Sequence, residues 1–144
     1  MNLQYNYNLF LDDLRAPSDC RTYINDNRYT ELNWVIVRSY DEFVSLIEKE
    51  WKNGSFPKLV SFDHDLNHEH YHPSMFVSTE AYENAYQSFT SPTGRRAAAF
   101  LVDFCKNKNI SLPECLIHTM NPAGELRIQK TLNNSETGKH ITNA

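Results

Sequence analysis

What this chain has little of narrows its function before any motif is read. Its 144 residues contain no apolar run near the ~20 residues that span a bilayer, so no membrane partner is expected. Basic charge is scarce, with 14 Lys and Arg against 18 Asp and Glu and a formal net charge of −4. A protein that neutralises a run of duplex phosphates carries the opposite balance. Duplex DNA is therefore not an expected partner, although a local basic pocket is compatible with that charge. Cysteines are few, odd in number and far apart: Cys20, Cys105 and Cys115. The last two sit in apolar surroundings, which predicts buried reduced thiols in a cytoplasmic protein rather than disulfides or zinc ligands. The start, Met1-Asn2-Leu3-Gln4-Tyr5, lacks a basic region followed by an apolar core, so no signal peptide is expected. No internal repeat is visible, and residues 1–144 read as one domain long enough to bury a core.

What is present is a pattern of short apolar runs that end in polar groups. Leu59-Val60-Ser61-Phe62 runs into Asp63-His64-Asp65, and Asn8-Leu9-Phe10-Leu11 runs into Asp12-Asp13-Leu14-Arg15. Glu114-Cys115-Leu116-Ile117 does the same into His118-Thr119-Met120-Asn121. Such runs read as strands buried on both faces. Burying carboxylates within them is unfavourable, so Asp12, Asp13, Asp63 and Asp65 are expected at the carboxyl ends, in a cleft. That edge is where open parallel sheets bind ligands.

In chain order, Tyr7–Leu11 is a strand and residues 15–33 a polar loop with at most a short helical turn. Trp34–Val37 is the second strand. Ser39-Tyr40-Asp41-Glu42 reads as a capping box opening a helix with Phe43, Ile47 and Trp51 on one stripe, stopped by Gly54. The third strand is Lys58–Phe62. Residues 67–92 lack apolar period and exceed the ~4–6 residues of an ordinary connection, so they read as an insertion: a lid, a protein-partner surface or disorder, in which Tyr82, Tyr86 and Phe89 can form a short helix. A helix follows Thr93-Gly94, with Ala97, Phe100, Leu101 and Phe104 inward. After the fourth strand, Asn121-Pro122 caps a last helix carrying Leu126, Ile128 and Leu132. The polar residues 133–144 read as a flexible tail. Strand and helix alternation of this kind predicts an α/β, doubly wound, mainly parallel sheet of about four strands with flanking helices.

The chemistry follows from the residue types. Carboxylates that converge repel one another, so one must protonate or a cation must join them. Oxygen ligands suit Mg²⁺ or Mn²⁺, which polarise phosphoryl oxygens and activate water. Asp12, Asp13 and Asp63 are the candidate metal ligands. Arg15 and Arg38, with the polar turn at Asn121, are candidate phosphate contacts. His64 and His118 are candidate acid and base, with Asp65 beside them, and His118 is expected at the leaving oxygen. Plainer readings compete at each position: turn residues at Asp12-Asp13, counterions at Arg15 and Arg38, a structural role at His118. The run His68-Glu69-His70-Tyr71-His72 reads as surface histidines or lid contacts rather than a zinc site. Asp63-x-Asp65-x-Asn67 fails as a calcium loop because His68 replaces the required glycine.

Leu9-Phe10-Leu11-Asp12-Asp13-Leu14-Arg15-Ala16-Pro17, Ser61-Phe62-Asp63-His64-Asp65-Leu66 and Ile117-His118-Thr119-Met120-Asn121-Pro122-Ala123-Gly124 together resemble the cyclic-phosphate-processing receiver-like domains. Trp34, Val37-Arg38-Ser39 and Thr93-Gly94 match as well; residues 67–92 depart as an insertion. The resemblance implies a receiver-like (flavodoxin-like) core and a role on cyclic phosphates of nucleotides or RNA ends. It also implies Mg²⁺ at Asp12, Asp13 and Asp63, with Thr119 as a phosphate-contacting hydroxyl. No equivalent of the late-strand lysine of phosphorelay receivers is found. The expected activity is a metal-dependent phosphoesterase. The alternatives are a non-catalytic nucleotide- or phosphate-binding module and a receiver-like regulatory interaction protein.

Overall fold

The computed structural model describes residues 2–70, 78–86 and 91–134. Four strands, β1 (Gln4–Leu11), β2 (Val35–Val37), β3 (Ser55–Phe62) and β4 (Glu114–Ile117), form one parallel sheet in the order β2-β1-β3-β4. The chain leaves β1 toward one side and continues from β3 toward the other. Their carboxyl ends therefore bound the crevice where strand order reverses. β3 starts at Ser55, ahead of the expected Lys58, and carries Pro57. Shifts in the β1–β3 register between Tyr5 and Asn8 open the ladder there, which accommodates a residue without an amide hydrogen.

Side chains alternate across this sheet. Leu9, Leu11, Val60 and Phe62 enter a large core built with α3 (Tyr40–Lys52), α5 (Gly94–Lys108) and α6 (Pro122–Asn133). α3 buries Phe43 and Ile47. Its Ser39 Oγ accepts from the Glu42 amide at 3.1 Å, while Glu42 Oε1 accepts from the Arg38 amide at 2.8 Å. The return bond thus lands one residue earlier than a capping box places it. Gly54, with φ of 82°, turns the chain into β3. On α6, Ile128 and Leu132 face inward but Leu126 is 47% exposed, a correction to the expected stripe.

The opposite face is covered differently. Phe10 packs with Cys20, Tyr29, Tyr23, Ile24, Trp34 and Leu116 in a smaller aromatic cluster. Its cover is the segment read as loop, which instead folds into α1 (Pro17–Cys20) and α2 (Arg28–Glu31). Each is one turn long, too short for a helical period to register. Cys20 and Cys105 are buried and Cys115 half-buried, all three outside any disulfide.

After β3 come a 3₁₀ turn, His68–His70, and α4 (Thr79–Tyr86), which packs on α6. His70 is fully buried, against the expectation of surface histidines. Its Nδ1 accepts from the Leu66 amide at 2.8 Å and its Nε2 donates to Ser91 O at 3.1 Å. Glu69 Oε2 accepts from the Ser91 amide at 2.6 Å. The neck of the insertion is thus tied shut. Residues 71–77 and 87–90, and the tail from 135, lie outside the described residues. Among the described residues no helix is long and apolar enough to cross a membrane.

Candidate metal and phosphate site

The site residues follow their strands by one position. The Asp12 amide donates to Val37 O at 3.1 Å, Asp63 to Leu11 O at 2.9 Å and His118 to Phe62 O at 2.9 Å. Each bond continues the sheet ladder one step past a strand end. Three ionisable side chains are thereby held on rigid backbone at the same edge. One ligating atom from each of Asp12, Asp63 and His118 lies within 4.8 Å of the others, and all three residues are fully buried. Asp13, next to this group in sequence, is half-buried and stands outside it.

Arg15 lies across the acid pair. Its Nε is 3.3 Å from Asp12 Oδ2 and its Nη2 is 3.6 Å from Asp63 Oδ1. It also hydrogen-bonds the Tyr23 hydroxyl and sits 5.5 Å from the centre of that ring. The loop beneath it is shaped by Asp12 Oδ1, which accepts from the amides of Leu14 and Arg15 at 2.9 and 2.8 Å. Arg38 staples the same loop, donating from Nη1 to Asp12 O at 3.1 Å and Arg15 O at 2.7 Å. That nitrogen is spent on backbone carbonyls, which gives Arg38 a loop-shaping task in this arrangement.

The two carboxylates differ in charge. Burial pushes Asp12 up, but the hydrogen bond to His118 and the amides of Arg15 and Leu14 outweigh it and hold the carboxyl below its usual value. Burial and the neighbouring Asp12 charge push Asp63 well above its usual value, against the pull of Arg15. Asp63 Oδ1 accepts from the His64 amide at 2.9 Å, whereas its buried Oδ2 has no hydrogen-bond partner.

His118 is engaged at both ring nitrogens. Nε2 is 3.1 Å from Asp12 Oδ2 and Nδ1 is 2.7 Å from Ser61 Oγ. The ring stacks on Phe10 at 4.3 Å, with 5° between planes. Burial lowers its pKa, partly offset by Asp12. His64, also fully buried, joins a second polar group. Its Nδ1 is 2.9 Å from Asp65 Oδ1, and Asn121 Nδ2 donates to the same oxygen at 3.2 Å. Asn121 Oδ1 caps α6 by accepting from Ala123 and Gly124, and Thr119 Oγ1 accepts from the Asn121 amide at 3.2 Å. A Cβ on Gly124 would stand 2.5 Å from the His64 ring, and one on Gly94 1.7 Å from Asp63 O. Both glycines are there for close approach.

A family model, the cyclic-phosphate processing receiver domain, matches residues 7–134. The chain belongs to this family. No curated protein and no solved structure matches it. In this receiver domain the acid pair fits a divalent cation. A buried carboxylate oxygen with no partner calls for a proton or a cation, and with the Asp12 carboxylate beside it Asp63 offers the hard oxygen ligands that Mg²⁺ prefers. Sequence reasoning missed Tyr23 and Tyr29, which enter the site from the aromatic cover. Tyr23 OH donates to His118 O at 2.6 Å, and Tyr29 OH lies 2.7 Å from Ser61 Oγ. Only the density of tyrosine and tryptophan in 23–34 signals them.

Proposed function

We propose that this receiver domain is a metal-dependent phosphoesterase that opens a cyclic phosphate on a nucleotide or an RNA end. The observation that carries the reading is the unpartnered, buried Asp63 Oδ2 beside Asp12, at the crevice where strand order reverses. Asp12 and Asp63 would hold Mg²⁺ or Mn²⁺, with Asp13 within chain reach. When bound, the cation supplies polarisation of a phosphoryl oxygen and a more acidic water. Arg15 keeps part of its side chain at the surface and can turn from the acid pair onto phosphate oxygens. Arg38 holds the loop that aims it. Thr119 and the Asn121 cap fix the turn that opens α6, where they would meet the phosphate.

In the reaction, water adds to phosphorus and gives up a proton, one ester P–O bond breaks, and the departing alkoxide oxygen takes a proton. His64, backed by Asp65, has the imidazole–carboxylate pairing of a general acid. His118, with both nitrogens committed, serves by holding Asp12. Tyr86 of α4 lies against the His64 ring, 5.7 Å between centroids, so α4 must shift for His64 to meet substrate.

The test is release of the 2′- or 3′-phosphate from 2′,3′-cyclic nucleotides with Mg²⁺ or Mn²⁺. Wild type is expected to turn over and Asp63→Asn to be inactive. His64→Ala is expected to lose about 10²–10⁴-fold in rate. No turnover by wild type with either ion sinks the reading. One observation favours a second reading, a phosphate-binding regulatory module without turnover: Arg15 reaches both carboxylates and gives the acid pair a cation of the chain's own. Binding of the same nucleotides without product would select it.

A further inference from the structure

A line of hydrogen bonds runs from the acid pair away from solvent, through the sheet and into the aromatic cover. Asp12 Oδ2 meets His118 Nε2 at 3.1 Å, His118 Nδ1 meets Ser61 Oγ at 2.7 Å, and Ser61 Oγ meets the Tyr29 hydroxyl at 2.7 Å. All four side chains are buried. Asp12 also accepts from two amides and faces Arg15, so it is the ionised acceptor that sets the direction of every bond behind it. An ionised Asp12 accepts a hydrogen bond from His118 Nε2–H. Nδ1 is then a bare lone pair and must accept from the Ser61 hydroxyl. The Ser61 oxygen in turn accepts from the Tyr29 phenol. With a neutral imidazole, no other orientation satisfies all three contacts.

The far end of the line is closed. Tyr29 is 2% exposed, stacks on Trp34 at 5.7 Å and 12°, and meets Phe10 edge-on at 6.3 Å and 81°. A phenol buried in this way has no water to exchange protons with, so the line cannot carry protons to or from solvent. Its effect is to fix the imidazole, and through it the carboxylate. We propose that Ser61 and Tyr29 are positioning residues of the metal site, acting through His118 to hold Asp12 in the orientation that ligates the cation. The proposal rests on the metal-site reading above, and it adds that His118 stands behind the ligand with Nε2 protonated rather than binding the ion itself. Partners that orient a metal-binding carboxylate are typically worth about 10–100-fold in metal affinity.

The experiment uses the full chain and two variants. Tyr29→Phe removes one oxygen and keeps the ring packing. Ser61→Ala removes the donor to Nδ1. Long-range ¹H–¹⁵N spectra of the metal-free protein read the imidazole directly. Wild-type His118 is expected to show protonated Nε2 and a hydrogen-bonded, unprotonated Nδ1. In Ser61→Ala the Nδ1 resonance should move downfield, toward a lone pair without a donor, with a smaller shift in Tyr29→Phe. Mn²⁺ affinity by calorimetry should fall about 10–100-fold in Ser61→Ala and less in Tyr29→Phe. A protonated Nδ1 in wild type, an unmoved Nδ1 in Ser61→Ala, or wild-type Mn²⁺ affinity in both variants overturns the proposal. Should wild type bind no Mn²⁺, the phosphoesterase reading and the ligating role fall together. The ring spectra would then still decide whether the clamp on Asp12 exists.

Discussion

The two faces of the sheet are covered by different means. On one, α3, α5 and α6 bring aliphatic and phenylalanine side chains in helical register against Leu9, Leu11, Val60 and Phe62. On the other, two single-turn helices and their linkers lay tyrosines and a tryptophan over Phe10, Ser61 and Leu116. The helical face buries large apolar area and makes few polar bonds. The aromatic face buries less, and its hydroxyls reach through to the site. The first face stabilises the fold, whereas the second orients chemistry.

Phenylalanine truncations test that division most strongly. Phe43→Ala, on the helical face, should cost about 3–5 kcal/mol in urea unfolding and leave the His118 resonances in place. Phe10→Ala should cost a similar amount but also shift those resonances, because it removes the ring on which His118 stacks. Equal shifts in the two variants would dissolve the distinction. Gly94→Ala is expected to destabilise by about 3 kcal/mol, since its Cβ meets rigid backbone at Asp63 rather than a movable side chain.

A smaller effect has the opposite sign. Asp63→Asn should raise the unfolding midpoint of the metal-free protein at neutral pH while abolishing Mn²⁺ binding, because it removes a buried carboxyl that resists ionisation. A lowered midpoint would show that the Arg15 contact outweighs the repulsion. The pH profile sharpens this. Burial lowers the pKa of both His70 and His118 from 6.5, so the unfolded chain takes up protons that the folded one refuses. Their contribution to stability is complete above 6.5 and is lost as pH falls through that value toward the folded pKa values. Asp63 runs the other way: its contribution is complete below 3.8 and is lost as pH rises toward its raised folded pKa. Asp63→Asn should therefore steepen the acid-side loss below 6.5, measured as unfolding midpoint against pH.

Much of the helical face was legible in the sequence, because Phe43 with Ile47 and Ala97 with Leu101 keep the spacing of a helix. The family motifs and the strand-end carboxylates Asp12 and Asp63 were legible too, since an apolar run ending in acid has few other meanings. The aromatic face was not. Tyr23 and Tyr29 lie in one-turn helices with no period, and the contacts that matter, to His118 O and Ser61 Oγ, span 95 and 32 residues. Ser61 looked like a gap in an apolar strand. His70 looked like a surface residue because nothing local reveals that Leu66 and Ser91 close around it. The contact of Arg15 with Asp12, three residues apart, follows its reading as a counterion, whereas its reach to Asp63 depends on the fold.

The tie between Glu69, His70 and Ser91 has a consequence for how this chain tolerates change. It works like a drawstring: the segment between positions 70 and 91 begins and ends at one fixed point, so chain added to the stretch ahead of α4, which itself packs on α6, is uncoupled from the sheet. The entropy of closing such a loop grows only as the logarithm of its length, about 0.6 kcal/mol for each doubling. Doubling that stretch with polar residues should lower stability by about that much, measured in urea, while Ser91 stays in place. Such a site can take a tag, a fluorescent reporter or a second domain without disturbing the strand ends that hold Asp12, Asp63 and His118.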